Sequence, residues 1–198
     1  MKERYTKEER QKQLLESAMV AFGKKGYHGT QVSDIIYEAD VARGTFYLYF
    51  EGKREIFDAL LAEILQKVKN EVTLLPRDAV DKIPAQMMGN LERVTRLLLD
   101  NPTYIKLLFS DAVGLDSEFD HRLKQFYEDI LDLIRRGLRQ GQEMGFVRQG
   151  NIHVLATSLL GCFKEVFYQY LLGTEKPTAE EIIQEIYALV MAGLAQRP

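Results

Sequence analysis

The chain has 198 residues, 46% of them hydrophobic, and only 14 Gly and 5 Pro, so it can bury a sizeable core and is neither collagen-like nor a disordered tract. Its net charge of -3 excludes a chain that is basic throughout, although residues 1–54 carry ten Lys/Arg against eight Asp/Glu while the remainder is net -5. No apolar run reaches the roughly 20 residues that span a bilayer, the charged start MKERYTKEERQKQ lacks the apolar region of a signal peptide, and the one cysteine, Cys162, can form no intramolecular disulfide and points to a reducing cytoplasm.

Helical spacing dominates the chain. Leu14, Ala18 and Phe22 recur every fourth residue, with Leu15 beside them, and Gly26 ends this first helix just after Lys24 and Lys25. Thr30 is placed to cap a second, short helix whose apolar face is Val32, Ile35, Ile36 and Ala39. A tight turn at Asp40-Val41 leads into a third helix, from about Ala42 to Tyr49. The tripeptide EGK interrupts it, and a longer helix starts near Lys53 with the stripe Ile56, Leu60, Ile64 and Val68. Beyond it, Pro76, Pro84, Pro102 and Pro177 punctuate the chain. They delimit helices near 84–100, 103–113, 117–144, 151–172 and 178–195. No stretch alternates as a strand does and no repeat recurs. The expected fold is all-α, with about nine helices packed by their apolar stripes.

The stretch GTFYLYFEGKREIF, Gly44 to Phe57, holds more aromatics than one buried helix face can use. Two short helices joined by a turn of about three residues are a helix-turn-helix, whose second helix can lie in the major groove of DNA. Val32, Ile35, Ile36, Val41 and Phe46 then form the small core that sets the angle between them. Arg43, Gly44, Thr45 and Tyr47 lie on the groove-facing side. Arg43 can fork onto guanine or pair with a phosphate. Gly44 permits close backbone approach. The hydroxyls of Thr45, Tyr47 and Tyr49 can donate to phosphate oxygens. Lys53 adds a cation at a helix start already suited to an anion.

The segment GYHGTQVSDIIYEADVARGTFYLYFEGKREIF resembles the DNA-binding signature of the tetracycline-repressor (TetR) family. The resemblance covers about residues 8–68, with the helix-turn-helix at about 31–50. It leaves 69–198 as a C-terminal effector-binding and dimerisation region. It implies a homodimeric cytoplasmic regulator, usually a repressor, in which a small effector releases a palindromic operator. DNA-contacting positions on this basis are Thr30, Ala42, Arg43, Gly44, Thr45, Tyr47, Tyr49 and Lys53. Three residues depart from the family pattern: Asp40 stands where Gly is frequent, Ala42 where Ser or Thr caps the third helix, and Ile36 where Ala is frequent. The last two long helices match the place of the family's four-helix dimer interface, and Gly161 and Gly193 would allow partners to approach closely. Two half-sites about one DNA turn (~34 Å) apart follow from the two-fold pair.

Met87, Met88, Leu91, Tyr104, Phe109, Phe119, Tyr127, Phe163 and Phe167 could line a cavity for a hydrophobic or aromatic effector, or simply fill the core. His28, His121 and His153 show no ligand-like spacing with Cys162, so neither metal nor cofactor is expected. There is no nucleophile–base arrangement, phosphate loop or dinucleotide fingerprint. The competing reading is a helical ligand- or protein-binding bundle that has lost operator recognition; an enzyme is the third.

Overall fold

The computed structural model describes residues 5–73, 80–109 and 117–195; the side chains of Val80, Phe109 and residues 117–120 fall outside that description. Among the described residues the chain forms nine α-helices, one short 3-10 turn at Val80–Lys82 and no strand, as the spacing predicts.

Helix α1 (Lys7–Gly29) opens on a reciprocal cap: the Glu9 amide donates to the Thr6 hydroxyl at 3.2 Å, and the Thr6 amide to the Glu9 carboxylate at 2.7 Å. It breaks at Gly26, whose φ of 70° is a conformation glycine adopts at little cost. Thr30 does not cap the next helix, contrary to expectation. Its hydroxyl turns inward to the carbonyls of Gly26 (2.7 Å) and Ala21 (3.2 Å), closing the broken end of α1, and the residue is 1% exposed. Gln31 takes the capping position of α2 (Val32–Ala39), its amide donating to Asp34 at 2.8 Å. Two ion pairs, Lys25–Asp34 and Lys24–Glu38, both at 2.7 Å, lace α1 to α2.

Asp40 ends α2 in the left-handed region, φ 48° and ψ 50°, which Asp tolerates better than most residues. The Gln13 side-chain amide donates to the Ala39 carbonyl at 2.8 Å and satisfies that helix end. Helix α3 (Arg43–Tyr47) is shorter than expected: Leu48 and Phe50 still donate to the Gly44 and Phe46 carbonyls, at 3.2 and 3.0 Å, but Leu48 and Tyr49 form a turn and Phe50 leads out of it. Its capping residue, Ala42, supplies no side-chain hydrogen bond.

Helix α4 (Lys53–Glu71) buries Ile56, Phe57, Leu60, Leu61, Ile64 and Val68. It runs through the boundary near residue 68 at which the sequence divides the chain. The rest is α5 (Ile83–Leu99), α6 (Pro102–Phe109), α7 (Ser117–Glu143), α8 (Ile152–Leu172) and α9 (Ala179–Leu194). The expected helix near 103–113 extends into residues 110–113, outside the described residues. One continuous core joins Leu14, Phe22, Ile35, Phe46 and Phe57 of the first four helices to Ile105 and Leu108 of α6, Leu123 and Phe126 of α7 and Phe167 of α8. A second apolar cluster, Leu91 with Ile182, Ile183 and Ile186, seats α5 on α9. A third, Leu138, Val147, Leu155, Ala156 and Leu194, closes the far end, where the Arg148 amide donates to the Leu194 carbonyl at 2.8 Å.

Candidate nucleic-acid interface and effector cavity

The buried ring of Phe46 is the pivot of the reading head. Tyr47 stands edge-on to it, with centroids 5.4 Å apart and planes at 84°, so its phenol is propped outward and 45% exposed. The Arg43 guanidinium lies 5.7 Å from the Tyr47 ring centroid and joins no ion pair among the described residues. Arg43 and Tyr47 form one wall of an open groove of about 890 Å³; Ser33, Ile36 and Tyr37 of α2 form the other, with Asp40 and Val41 at its end. Gly44 is exposed, and a Cβ built there would meet no atom within 4 Å. Ala42 is exposed as well. Thr45 and Tyr49 are half-buried, Tyr49 packing against the core.

Thr30 and Lys53 sit differently from the rest of the expected set. The buried hydroxyl of Thr30 is occupied by backbone carbonyls, so that side chain lies inside the protein and not on the groove. The Lys53 ammonium donates to the Tyr27 carbonyl at 3.0 Å and rests 4.4 Å from the centroid of the Tyr27 ring. Sequence reasoning passed over Tyr37 and Leu48, the most exposed large apolar side chains of the head at 86% and 79%. The Tyr37 side chain joins no hydrogen bond or ring contact among the described residues. The available signal was its place off the Val32, Ile35, Ile36 and Ala39 stripe, on the face shared with Ser33.

A second concavity, of about 300 Å³, lies between α4, α5, α6, α7, α8 and α9, and its lining is almost wholly apolar. Met87, Leu91, Tyr127, Phe163 and Phe167 line it, five of the nine expected residues. Two expectations are corrected. Met88 packs towards the α5–α9 cluster, and Tyr104 is buried on the α4 side of α6, where its hydroxyl takes a 2.7 Å hydrogen bond from Lys67. The side chains of Phe109 and Phe119 lie outside the described residues. The sequence missed the aliphatic lining, such as Val68, Val72, Ile130 and Leu133, because such stripes read as ordinary core. Tyr127 donates its hydroxyl to the Leu108 carbonyl, and burial pushes its phenol well above the ordinary tyrosine range. Among the described residues no helix is long and apolar enough to cross a membrane, and no group of three or more His, Cys, Asp or Glu could hold a metal.

Among the described residues the chain is all-α, with an exposed helix-turn-helix in its first helices and an apolar cavity among the later ones, the build of a DNA-binding transcription regulator. The family model for bacterial regulatory proteins, tetR family, matches residues 14–60. The HTH-type transcriptional regulator YhgD of Bacillus subtilis (strain 168) is 33% identical over 166 residues, covering 82% of this chain and 84% of that protein. The chain belongs to the TetR family of bacterial transcription regulators. Its fold is similar to that of the fatty acid degradation regulator FadR from Bacillus halodurans, with a TM-score of 0.81, 20% identity and coverage of 98% of this chain and 100% of the other. It is also similar to FadR from Bacillus subtilis in complex with stearoyl-CoA, with a TM-score of 0.78, 18% identity and coverage of 92% and 98%.

Proposed function

We propose that this regulator is a homodimeric repressor that occupies a palindromic operator and leaves it when a fatty-acyl compound enters the cavity. It would work in the bacterial cytoplasm, on the chromosome. Arg43 and Gly44 meet base edges. Tyr37, Tyr47, Tyr49 and Lys53 hold phosphates, with Ala42 and Thr45 at the backbone beside them. The two copies pair through α8 and α9. Val154, Leu172 and Leu189 support this, because all three are exposed large apolar side chains of those helices, and Gly161 and Gly193 leave open space beside them.

The observation that carries the reading is the span of one helix. Lys53, the first residue of α4, is tied to the Tyr27 carbonyl of the head, while Val68, in its last turn, lines the cavity. A ligand that seats better when α4 is tilted shifts both heads away from operator spacing. A second linkage runs through α6. Leu108 lines the cavity and accepts from Tyr127, while Lys106 donates to the Gly23 carbonyl of α1. The acyl class follows the fold neighbour that binds stearoyl-CoA and the apolar lining here.

The test is selection from a random duplex library at low salt, followed by release of the selected duplex with acyl compounds, read by fluorescence anisotropy. The expected result is a palindrome bound two chains to a site, with steep salt dependence. Failure to enrich any sequence would favour a bundle that has lost operator recognition.

A further inference from the structure

Resting on the reading of the cavity as an acyl site, we infer that its ligand is a straight chain of about a dozen carbons with an anionic head held by Lys164. Size and shape carry the first half. A leucine-lined cavity of ~150 Å³ accepts benzene, so the 300 Å³ here takes about twice that carbon count. The lining runs along α7 from Phe126 to Leu138. At 1.5 Å per residue that is roughly 18 Å. Spread evenly over that length, the volume has a mean section close to that of one alkyl chain. A stearoyl chain exceeds this space unless the walls move.

The polar lining carries the second half. Asn90 and Thr73 are tied to each other, through 3.0 and 2.9 Å hydrogen bonds, and Asn90 also to Arg93 at 2.6 Å. The hydroxyls of Tyr127 and Tyr187 donate to the carbonyls of Leu108 and Pro84. Gln140 is partnered as well. Lys164 remains. It is exposed, its ammonium stands 5.3 Å from the Tyr127 ring centroid, and it joins no hydrogen bond or ion pair among the described residues. The described lining contains no carboxylate, so the only formal charge at the cavity is positive. An apolar tail that ends in a carboxylate satisfies both features; a coenzyme A thioester is neutral at its acyl end and brings its phosphates to Lys164 only through the pantetheine arm.

The experiment uses the full chain bound to its selected duplex. Octanoic, decanoic, dodecanoic, palmitic and stearic chains are each supplied as free acid, coenzyme A thioester and neutral methyl ester. Operator release and melting temperature are read for each. The expected optimum is decanoic to dodecanoic, with the charged form favoured over the methyl ester by about fivefold, the scale of a partly exposed ion pair. Lys164→Gln should lose that preference and bind the methyl ester as before. Gly137→Val should move the optimum to shorter chains, because Gly137 lines the cavity and a Cβ there meets no atom within 4 Å. Whichever charged form acts identifies the head as carboxylate or coenzyme phosphate. An optimum at stearic, or an undiminished charge preference in Lys164→Gln, overturns this inference and leaves the acyl reading standing. Silence of every chain length while the duplex stays bound overturns the acyl reading itself.

Discussion

The Lys53 ammonium is hydrogen-bonded to the Tyr27 carbonyl at 3.0 Å and lies 4.4 Å from the centroid of that residue's ring, tying the start of α4 to the end of α1 across 26 residues of sequence. Tyr27 itself packs against Phe57 with ring centroids 4.6 Å apart and planes tilted by 56°, and Phe57 meets Phe22 edge-on at 5.6 Å. The Lys53 ammonium is therefore already held by the Tyr27 carbonyl and ring, and little side-chain entropy is left to lose when its charge meets a phosphate. Lys53→Met keeps the stem and removes the charge. Operator affinity should fall alike for all duplex sequences, and the slope of log affinity on log salt should shrink by about one. Stability should drop by about 1 kcal/mol. An unchanged salt slope would remove Lys53 from the phosphate rim.

Arg43 and Tyr37 line the same groove and should part in their effects. Arg43→Ala should cost about 1–3 kcal/mol of binding and relax preference at one base position in each half-site. Tyr37→Phe should weaken every duplex by about 1 kcal/mol without changing their ranking, as expected for loss of a phosphate contact. Neither substitution should move stability by more than about 0.5 kcal/mol, since both side chains are exposed. Binding to a panel of single-base operator variants reads the difference. A changed ranking for Tyr37→Phe would make that residue a base reader.

Gly23 of α1 is a close-approach point. A Cβ there would lie 3.0 Å from Thr103 Cγ2 and 3.1 Å from Thr103 Oγ1 on α6. On a free helix Gly→Ala gains about 1 kcal/mol. Here crowding should cancel that gain and push α1 from α6, so Gly23→Ala should be neutral or destabilising and should alter effector-driven release. Adding Thr103→Ala frees the space, and the double variant should recover the helix gain. Calorimetry on the four-member cycle measures the coupling, and additive effects would show that the two positions do not touch.

The head should also be acid-sensitive. Its Asp34 carboxyl is held below the ordinary carboxylate range, first by the hydrogen bond from Lys25 and then by the Gln31 amide. A lowered pKa in the fold means that the unfolded chain takes up the proton first. The stabilisation is therefore complete above the ordinary aspartate value of about 4 and is lost as pH falls through the lowered one. Glu9 and Glu181 behave in the same sense through the backbone amides of Thr6 and Thr178. Asp34→Asn should flatten the acid limb of the melting-temperature curve below about pH 4. An acid limb identical to that of the parent protein would show that this cap contributes nothing to folding.

Much of the fold was legible because helices announce themselves locally. The stripes of α1 and α4, the break at Gly26 and the proline in the first turn of α5 are decided by neighbours within a few residues, and each stands where the spacing placed it. Thr30 shows the limit of that logic. A threonine before a helix reads as a cap, yet the broken end of α1 offered two carbonyls that took its hydroxyl instead, and Gln31 was left to begin α2. The short α3 is a similar case, since its end is set by where Phe50 must reach the core.

The amino-acid order alone determined that this is an all-α regulator with its reading head near the start, because apolar periodicity and the helix-turn-helix run are properties of contiguous residues. Only the tertiary structure decided which apolar side chains enclose space and which fill it, and which polar groups are spoken for. Tyr104 and Tyr127 are alike as letters. One is buried beneath α4 with its hydroxyl on Lys67, and the other forms a cavity wall beside Lys164. The difference arises from how α6 and α7 are rotated against partner helices distant in sequence, a property that no single segment encodes.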